Sequence, residues 1–262
     1  MLNIIRSNIF IISINAVFHI FIFISNSYAK NVTIEVKRAS KLPIHAYENK
    51  SSLANIVAIV GGNGLKNKRG KSQNFLVRTK EKLQNKYMNY YLFPNYNKRE
   101  NATYELRDSD ERIDRILYLI KAIKERNDKP IFIVGFSRGT VDAGKFAKTY
   151  PEWVSGIVLA SGIYTNVSKK AEFYSMQMII AKSVEVPALI VHHTDDSCIA
   201  TPFNYAKNFY NQLQAPSKML LAYSDGLTSG GECGPFNHHG FEGLENKVAE
   251  DITNWIIRKT DM

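Results

Sequence analysis

Residues 131–139 constrain this chain more than any other segment. A short apolar run, Ile131-Phe132-Ile133-Val134, passes directly into Gly135-Phe136-Ser137-Arg138-Gly139, and helix-forming sequence follows. An apolar run of that length stopped by glycine reads as a buried strand. A strand that must become a helix within one tight turn forces Ser137 into a strained backbone conformation. Side chains at 135 and 139 would then collide with strand or helix. The pattern predicts a serine hydroxyl raised above a sheet edge, with a helix N-terminus beneath it that favours developing negative charge.

The flanking sequence repeats the strand–helix alternation. Residues 54–60 form an apolar run ending in Gly61-Gly62, and 88–93 form a strand stopped by Pro94. Further strands are expected at 157–160, 188–192 and 219–223, with an edge strand of alternating polarity at 31–38. Helices are expected at 72–86, 108–127, near 171–183, and at 203–213 and 244–257. In the second of these, Ile113, Ile116, Leu117, Ile120 and Ile123 share one face. Asp108 and Glu111 have capping-box spacing at its start, and Lys124 and Arg126 suit the negative end of its dipole. The last helix carries Leu244, Val248, Ile252, Trp255 and Ile256 on its apolar face. Short apolar strands alternating with helices predict an α/β fold with a mostly parallel sheet covered on both faces. Ligands bind at the carboxyl ends of such strands.

Composition fits a packed globular protein: of 262 residues, 45 % are hydrophobic and 22 % charged. Disorder, collagen and coiled coil are excluded as the main architecture. The net charge of +10 comes from 34 Lys+Arg against 24 Asp+Glu. These charges are scattered, and the densest patch (Lys66, Lys68, Arg69, Lys71) reads as a solvated loop, so no nucleic-acid partner is expected. Residues 1–29 read as a secretory signal: Arg6, an apolar stretch over 9–24, then Ser27 and Ala29 at small-residue positions. Cleavage is expected after Ala29, leaving a domain over 30–262 that is secreted or periplasmic. Membrane contact is expected only if this segment stays uncleaved as an anchor.

A serine alone is a poor nucleophile and needs a base oriented by an acid. The G-x-S-x-G turn, in its strand–turn–helix context, resembles the nucleophile elbow of the α/β-hydrolase superfamily. The chain order of that superfamily is Ser, Asp or Glu, His. His193-Thr194-Asp195-Asp196-Ser197-Cys198 resembles its acid-bearing turn, with Asp196 the better fit and Asp195 the alternative. His238-His239-Gly240-Phe241 resembles the histidine turn of dienelactone-hydrolase-like esterases. It implies His239 as base, with His238 the runner-up. Gly61-Gly62-Asn63-Gly64 lies where the oxyanion loop of lipases and esterases lies, although the leading histidine of that loop is absent. The implied donors are the N–H groups of Gly62 or Asn63 and of Arg138.

The resemblance covers nearly the whole chain after residue 30. It implies a sheet of about eight strands and a Ser137–His239–Asp196 triad. The implied activity is hydrolysis of small-molecule esters through an acyl-enzyme, with no metal or organic cofactor. The stretch between Ala160 and Ala188 has room for one helix and no large cap domain, so an open site is expected, with Tyr164, Phe173, Tyr174 and Met176 as candidate lining. His192 and His193 are candidates for contacts beside the site; His45 carries no signal. The loops bearing acid and base are neighbours in this fold, so Cys198 and Cys233 are expected to form a disulfide in an oxidising compartment. A zinc site built from the cysteines and nearby histidines lacks paired ligand spacing.

Other readings stay open. Gly64 to Gly70-Lys71-Ser72 nearly makes a phosphate-binding P-loop but has one residue too many. The same fold also serves non-catalytic binding proteins. The same three side chains would equally serve an acyltransferase, thioesterase or peptidase.

Overall fold

The computed structural model describes residues 30–85 and 87–260. The expected secretory signal, residues 1–29, lies outside the described residues. The chain runs β1 (Lys30–Ile34), β2 (Ile44–Glu48), β3 (Ala54–Ile59), α1 (Phe75–Arg78), α2 (Lys80–Leu83), β4 (Met88–Leu92), α3 (Tyr104–Asp108) and α4 (Asp110–Arg126). It continues through β5 (Ile131–Phe136), α5 (Gly139–Thr149), β6 (Gly156–Ala160), α6 (Met176–Ile180), β7 (Ala188–His193), α7 (Phe203–Gln212), β8 (Lys218–Tyr223) and α8 (Glu245–Thr260). The eight strands form one sheet in the order β1-β2-β4-β3-β5-β6-β7-β8. β1–β2 and β2–β4 pair antiparallel, and the other pairs are parallel.

The central strands β3 to β7 are buried along their whole length and mostly apolar because both faces are covered. Val57, Ile59, Ile131 and Ile133 point into one core with α4, α5 and α7. Ile56, Ala58, Phe132 and Val134 alternate into the other, against α1, α2 and α8. Trp255 of α8 meets Phe132 edge-on there. This sandwich is the α/β-hydrolase fold. The segment between β6 and β7 carries a five-residue α-helix and a short 3₁₀ turn, so among the described residues no large cap stands over the carboxyl edge.

Several expectations are corrected. The strand β2 is unexpected from the sequence, because its Ile44-His45-Ala46-Tyr47-Glu48 alternation is short and set between Pro43 and Asn49. The edge strand stops at Ile34, not 38, because the chain turns where Ala39 N–H donates to Val36 O. The helix expected over 72–86 is two short helices. Asn74 caps the first, and the Thr79 hydroxyl bonds Phe75 O at the break, a local competitor for the helical ladder. The Asp108/Glu111 capping box does not form. Asp108 ends α3, and the side chain of Ser109 caps α4 by accepting from Arg112 N–H. The helix expected near 171–183 shrinks to α6, which ends where Ala181 and Lys182 take positive φ of 47° and 69°.

Candidate active site

Ser137 sits between β5 and α5 with φ +52°, in the left-handed region. The glycines around it are required by close approach. A Cβ at Gly135 would lie 2.4 Å from Gly139 O, and one at Gly139 would lie 2.2 Å from Ile59 O. Ser137 N–H donates to Ala160 O at 2.8 Å, which ties the turn to β6.

His239 lies in a 3₁₀ turn after β8, with its ring 5.3 Å from that of Phe136. Ser161, at φ +43°, donates its hydroxyl to the His239 carbonyl at 2.8 Å. Arg78 of α1 donates to Pro235 O and Gly240 O on either side and pairs with Glu245. The histidine turn is thus held from two elements.

Asp196 follows β7 and is buried. Its Oδ2 lies 3.0 Å from His239 Nδ1, 2.9 Å from the Thr201 hydroxyl and 3.4 Å from His192 Nε2, while Oδ1 accepts from Cys198 N–H. Burial alone would raise its pKa. Hydrogen bonds from His192 and His239 outweigh that and hold the carboxyl well below the usual range. His239 Nε2 lies 3.1 Å from Ser137 Oγ. Ser137, His239 and Asp196 therefore form one continuous hydrogen-bonded chain.

The alternatives Asp195 and His238 lie elsewhere. Asp195 is exposed, and its backbone carbonyl accepts from His238 Nδ1. His238 stacks on His193 with centroids 4.0 Å apart and planes 9° from parallel. Burial lowers the His193 pKa, which favours its neutral ring. His193, Asp195 and His238 are close enough to suggest a cation site. Both ring nitrogens of His193 are already engaged, Nδ1 accepting from Asp195 N–H and Nε2 bonded to Asp225 O, so this ring offers no lone pair to an ion. Cys198 and Cys233 are joined by a disulfide, which leaves neither as a thiolate for a zinc site.

Ser137 and His239 open onto a shallow cleft of ≈ 280 Å³, bounded by Gly61, Gly62, Asn63 and Gly64 on one side and by Cys233, Gly234 and Pro235 on the other. A Cβ on Gly61 would lie 2.7 Å from Ser137 Cβ, so the loop touches the serine. Arg138 starts α5 next to Ser137, with its guanidinium over the Tyr104 ring. The four candidate lining residues do not line this cleft. Tyr164 is buried and bonded to Leu159 O, Met176 packs against α5 at Gly144, Tyr174 stacks on Tyr104, and Phe173 is exposed. Ser72, Gln73 and Asn74 line it instead, so the near-P-loop segment runs along its rim. Thr201, Ser161 and Arg78 went unnoticed in the sequence because each acts through a partner distant along the chain.

Fold and cleft together define an α/β-hydrolase. The model of the phospholipase/carboxylesterase family matches residues 86–225, just over half of the chain, and the chain belongs to that family. The matched region includes Ser137 and Asp196, while the Gly61–Gly64 loop and His239 fall outside it. Among solved structures, dienelactone hydrolase from Anabaena variabilis is 16 % identical with a TM-score of 0.60, over 88 % of this chain and 97 % of that one. Est1E from Butyrivibrio proteoclasticus is 14 % identical with a TM-score of 0.61, over 89 % and 99 %. Monoacylglycerol lipase from Paleococcus ferrophilus is 14 % identical with a TM-score of 0.54, over 78 % and 94 %. At these identities the likeness is one of fold. The curated proteins give no match.

Proposed function

We propose that the protein is a serine hydrolase that cleaves small-molecule carboxylic esters through an acyl-enzyme. The observation that carries this reading is the unbroken chain Ser137 Oγ–His239 Nε2–His239 Nδ1–Asp196 Oδ2, with links of 3.1 and 3.0 Å, at the mouth of an open cleft. Ser137 Oγ attacks the ester carbonyl carbon while His239 Nε2 takes its proton. Asp196 keeps the proton on Nδ1 facing it and stabilises the imidazolium. The tetrahedral oxyanion is received by the N–H groups of Gly62 or Asn63 and of Arg138. His239 returns its proton to the departing alcohol. Water then attacks the acyl carbon by the same route, releases the acid and restores Ser137.

The shallow cleft, with no large cap over it among the described residues, suits short or surface-accessible acyl groups. Secretion is part of the proposal, resting on the signal-like residues 1–29 and on a disulfide that needs an oxidising compartment. Among the described residues no helix is long and apolar enough to cross a membrane.

Fluorophosphonate labelling of the purified domain, with the modified peptide mapped by mass spectrometry, tests the reading. Label on Ser137 is expected, together with ester hydrolysis that Ser137→Ala lowers by at least about 10³-fold at unchanged melting temperature. Well-folded protein that takes no label would move the non-catalytic binding reading to the front.

A further inference from the structure

Backbone N–H groups stabilise an oxyanion only if their peptide planes cannot turn during the reaction. In the loop after β3, three consecutive planes are held. Arg107 of α3, fully buried, donates from Nη2 to Val60 O at 3.0 Å and to Gly62 O at 3.2 Å. Between them, Gly61 O accepts from Gly64 N–H at 3.1 Å. Across a planar trans peptide, a carbonyl and the following N–H point opposite ways. Holding Gly62 O against the guanidinium turns the Asn63 N–H away from it. Holding Gly61 O toward Gly64 likewise turns the Gly62 N–H away from Gly64. Neither N–H has an acceptor among the described residues, and both residues line the cleft with Ser137.

The same guanidinium reaches the other half of the site. Its Nη1 pairs with Asp142 on α5, the helix that starts next to Ser137, and its Nε donates to Ala102 O at 3.1 Å. Arg112 of α4 also donates to Asp142. One buried cation therefore spans the loop after β3 and the helix after β5. Burial pushes Arg107 down to about 10, so it remains charged at neutral pH. A buried ion pair is a weak source of stability, because both charges lose their hydration. Stability alone is a poor reason for a guanidinium that directs two donors at the carbonyls of this loop.

We propose that Arg107 is a positioning residue that locks the 60–64 loop against α5, so that the N–H groups of Gly62 or Asn63 and of Arg138 face the carbonyl carbon above Ser137. This rests on the hydrolase reading.

Arg107→Lys keeps a charge beside Asp142 but has one nitrogen, which cannot fork across two carbonyls and a carboxylate. The expected result is a kcat about tenfold or more lower, with KM for p-nitrophenyl acetate within about twofold. Affinity for a trifluoromethyl ketone, which forms an oxyanion adduct, falls by the same factor as kcat/KM. Amide hydrogen exchange at Gly64 and Ala102, whose N–H groups bond within and onto the loop, speeds up while exchange within α8 stays as in the wild type. Arg107→Gln carries the same measurements if the lysine variant does not fold. Wild-type kcat and ketone affinity in a folded variant would overturn the inference, as would exchange that quickens uniformly through the molecule. Failure of the hydrolase reading is separate, since wild-type protein would then neither take fluorophosphonate nor cleave the ester. The exchange measurement would still decide whether Arg107 holds the loop: lost protection at Gly64 supports it, and retained protection overturns it.

Discussion

Gly61 and Asp196 each answer to the neighbours packed directly against them, one sterically and the other electrostatically. A methyl group at Gly61 would lie 2.7 Å from Ser137 Cβ and 2.8 Å from Phe136 O, so either the serine or the loop must move. Misplacement of catalytic groups by about 1 Å costs on the order of 100-fold in rate. Gly61→Ala is expected to lose about that much kcat while remaining folded, as ester hydrolysis and circular dichroism would report. Asp196 makes a pH prediction. Its pKa is depressed on folding, so its contribution to stability is complete above the ordinary carboxylate pKa of about 4 and is lost as pH falls through the folded value. The melting-temperature gap between wild type and Asp196→Asn should be constant from neutral pH to about 5 and narrow below about 4. A gap that persists unchanged into acid would contradict the paired, ionised carboxylate.

At the scale of elements, the start of α4 separates what the sequence suggests from what forms. Ser109 supplies the cap, and Asp108 ends the preceding helix with a half-exposed contact to Lys145. Ser109→Ala is therefore expected to cost about 1 kcal/mol, and Asp108→Ala at most about half that, in denaturant melts. The reverse order would favour the capping box at 108 and 111. Strongly periodic segments such as α4 and α8 were legible because a buried helix face imposes its own spacing on the sequence. The β2 strand was not, because its five residues take their stability from pairing with β1 and β4, which lie on either side of it. The break in the helix at Thr79 and the short α6 were equally hidden. The first turns on a side-chain hydroxyl that competes with the helical ladder, and the second on positive φ at Ala181 and Lys182, neither of which hydrophobic periodicity records.

For the whole molecule, the Cys198–Cys233 bond links the loop after β7 to the loop after β8, and with them the carboxylate and the imidazole. Closing a loop with a sequence separation of 35 removes about 3–4 kcal/mol of chain entropy from the unfolded state. Replacing both cysteines by alanine is expected to lower the melting temperature by roughly 10 °C, at about 3 °C per kcal/mol for a domain of this size. Reductant should reproduce that shift in the wild type and leave the double variant unchanged. Equal melting points with and without reductant would show that the bond does not constrain the chain.

The sequence by itself determined the alternation of strand and helix and the turn at Ser137, which are local properties set by residue periodicity and glycine geometry. The order Ser, Asp, His and the pairing of Cys198 with Cys233 were implied by its resemblance to the α/β-hydrolases, because both depend on which loops that fold makes neighbours. Only the tertiary structure decided that His239 rather than His238 faces Ser137, and that Asp196 rather than Asp195 meets it. Adjacent residues in a turn project in different directions, so one position along the chain exchanges a buried partner for a solvated one. The clamps through Arg78, Arg107, Ser161 and Thr201 were decided there too. Each joins groups remote in sequence, such as Arg107 and the Val60 carbonyl, and their meeting follows from the stacking of helices on the sheet rather than from any local pattern.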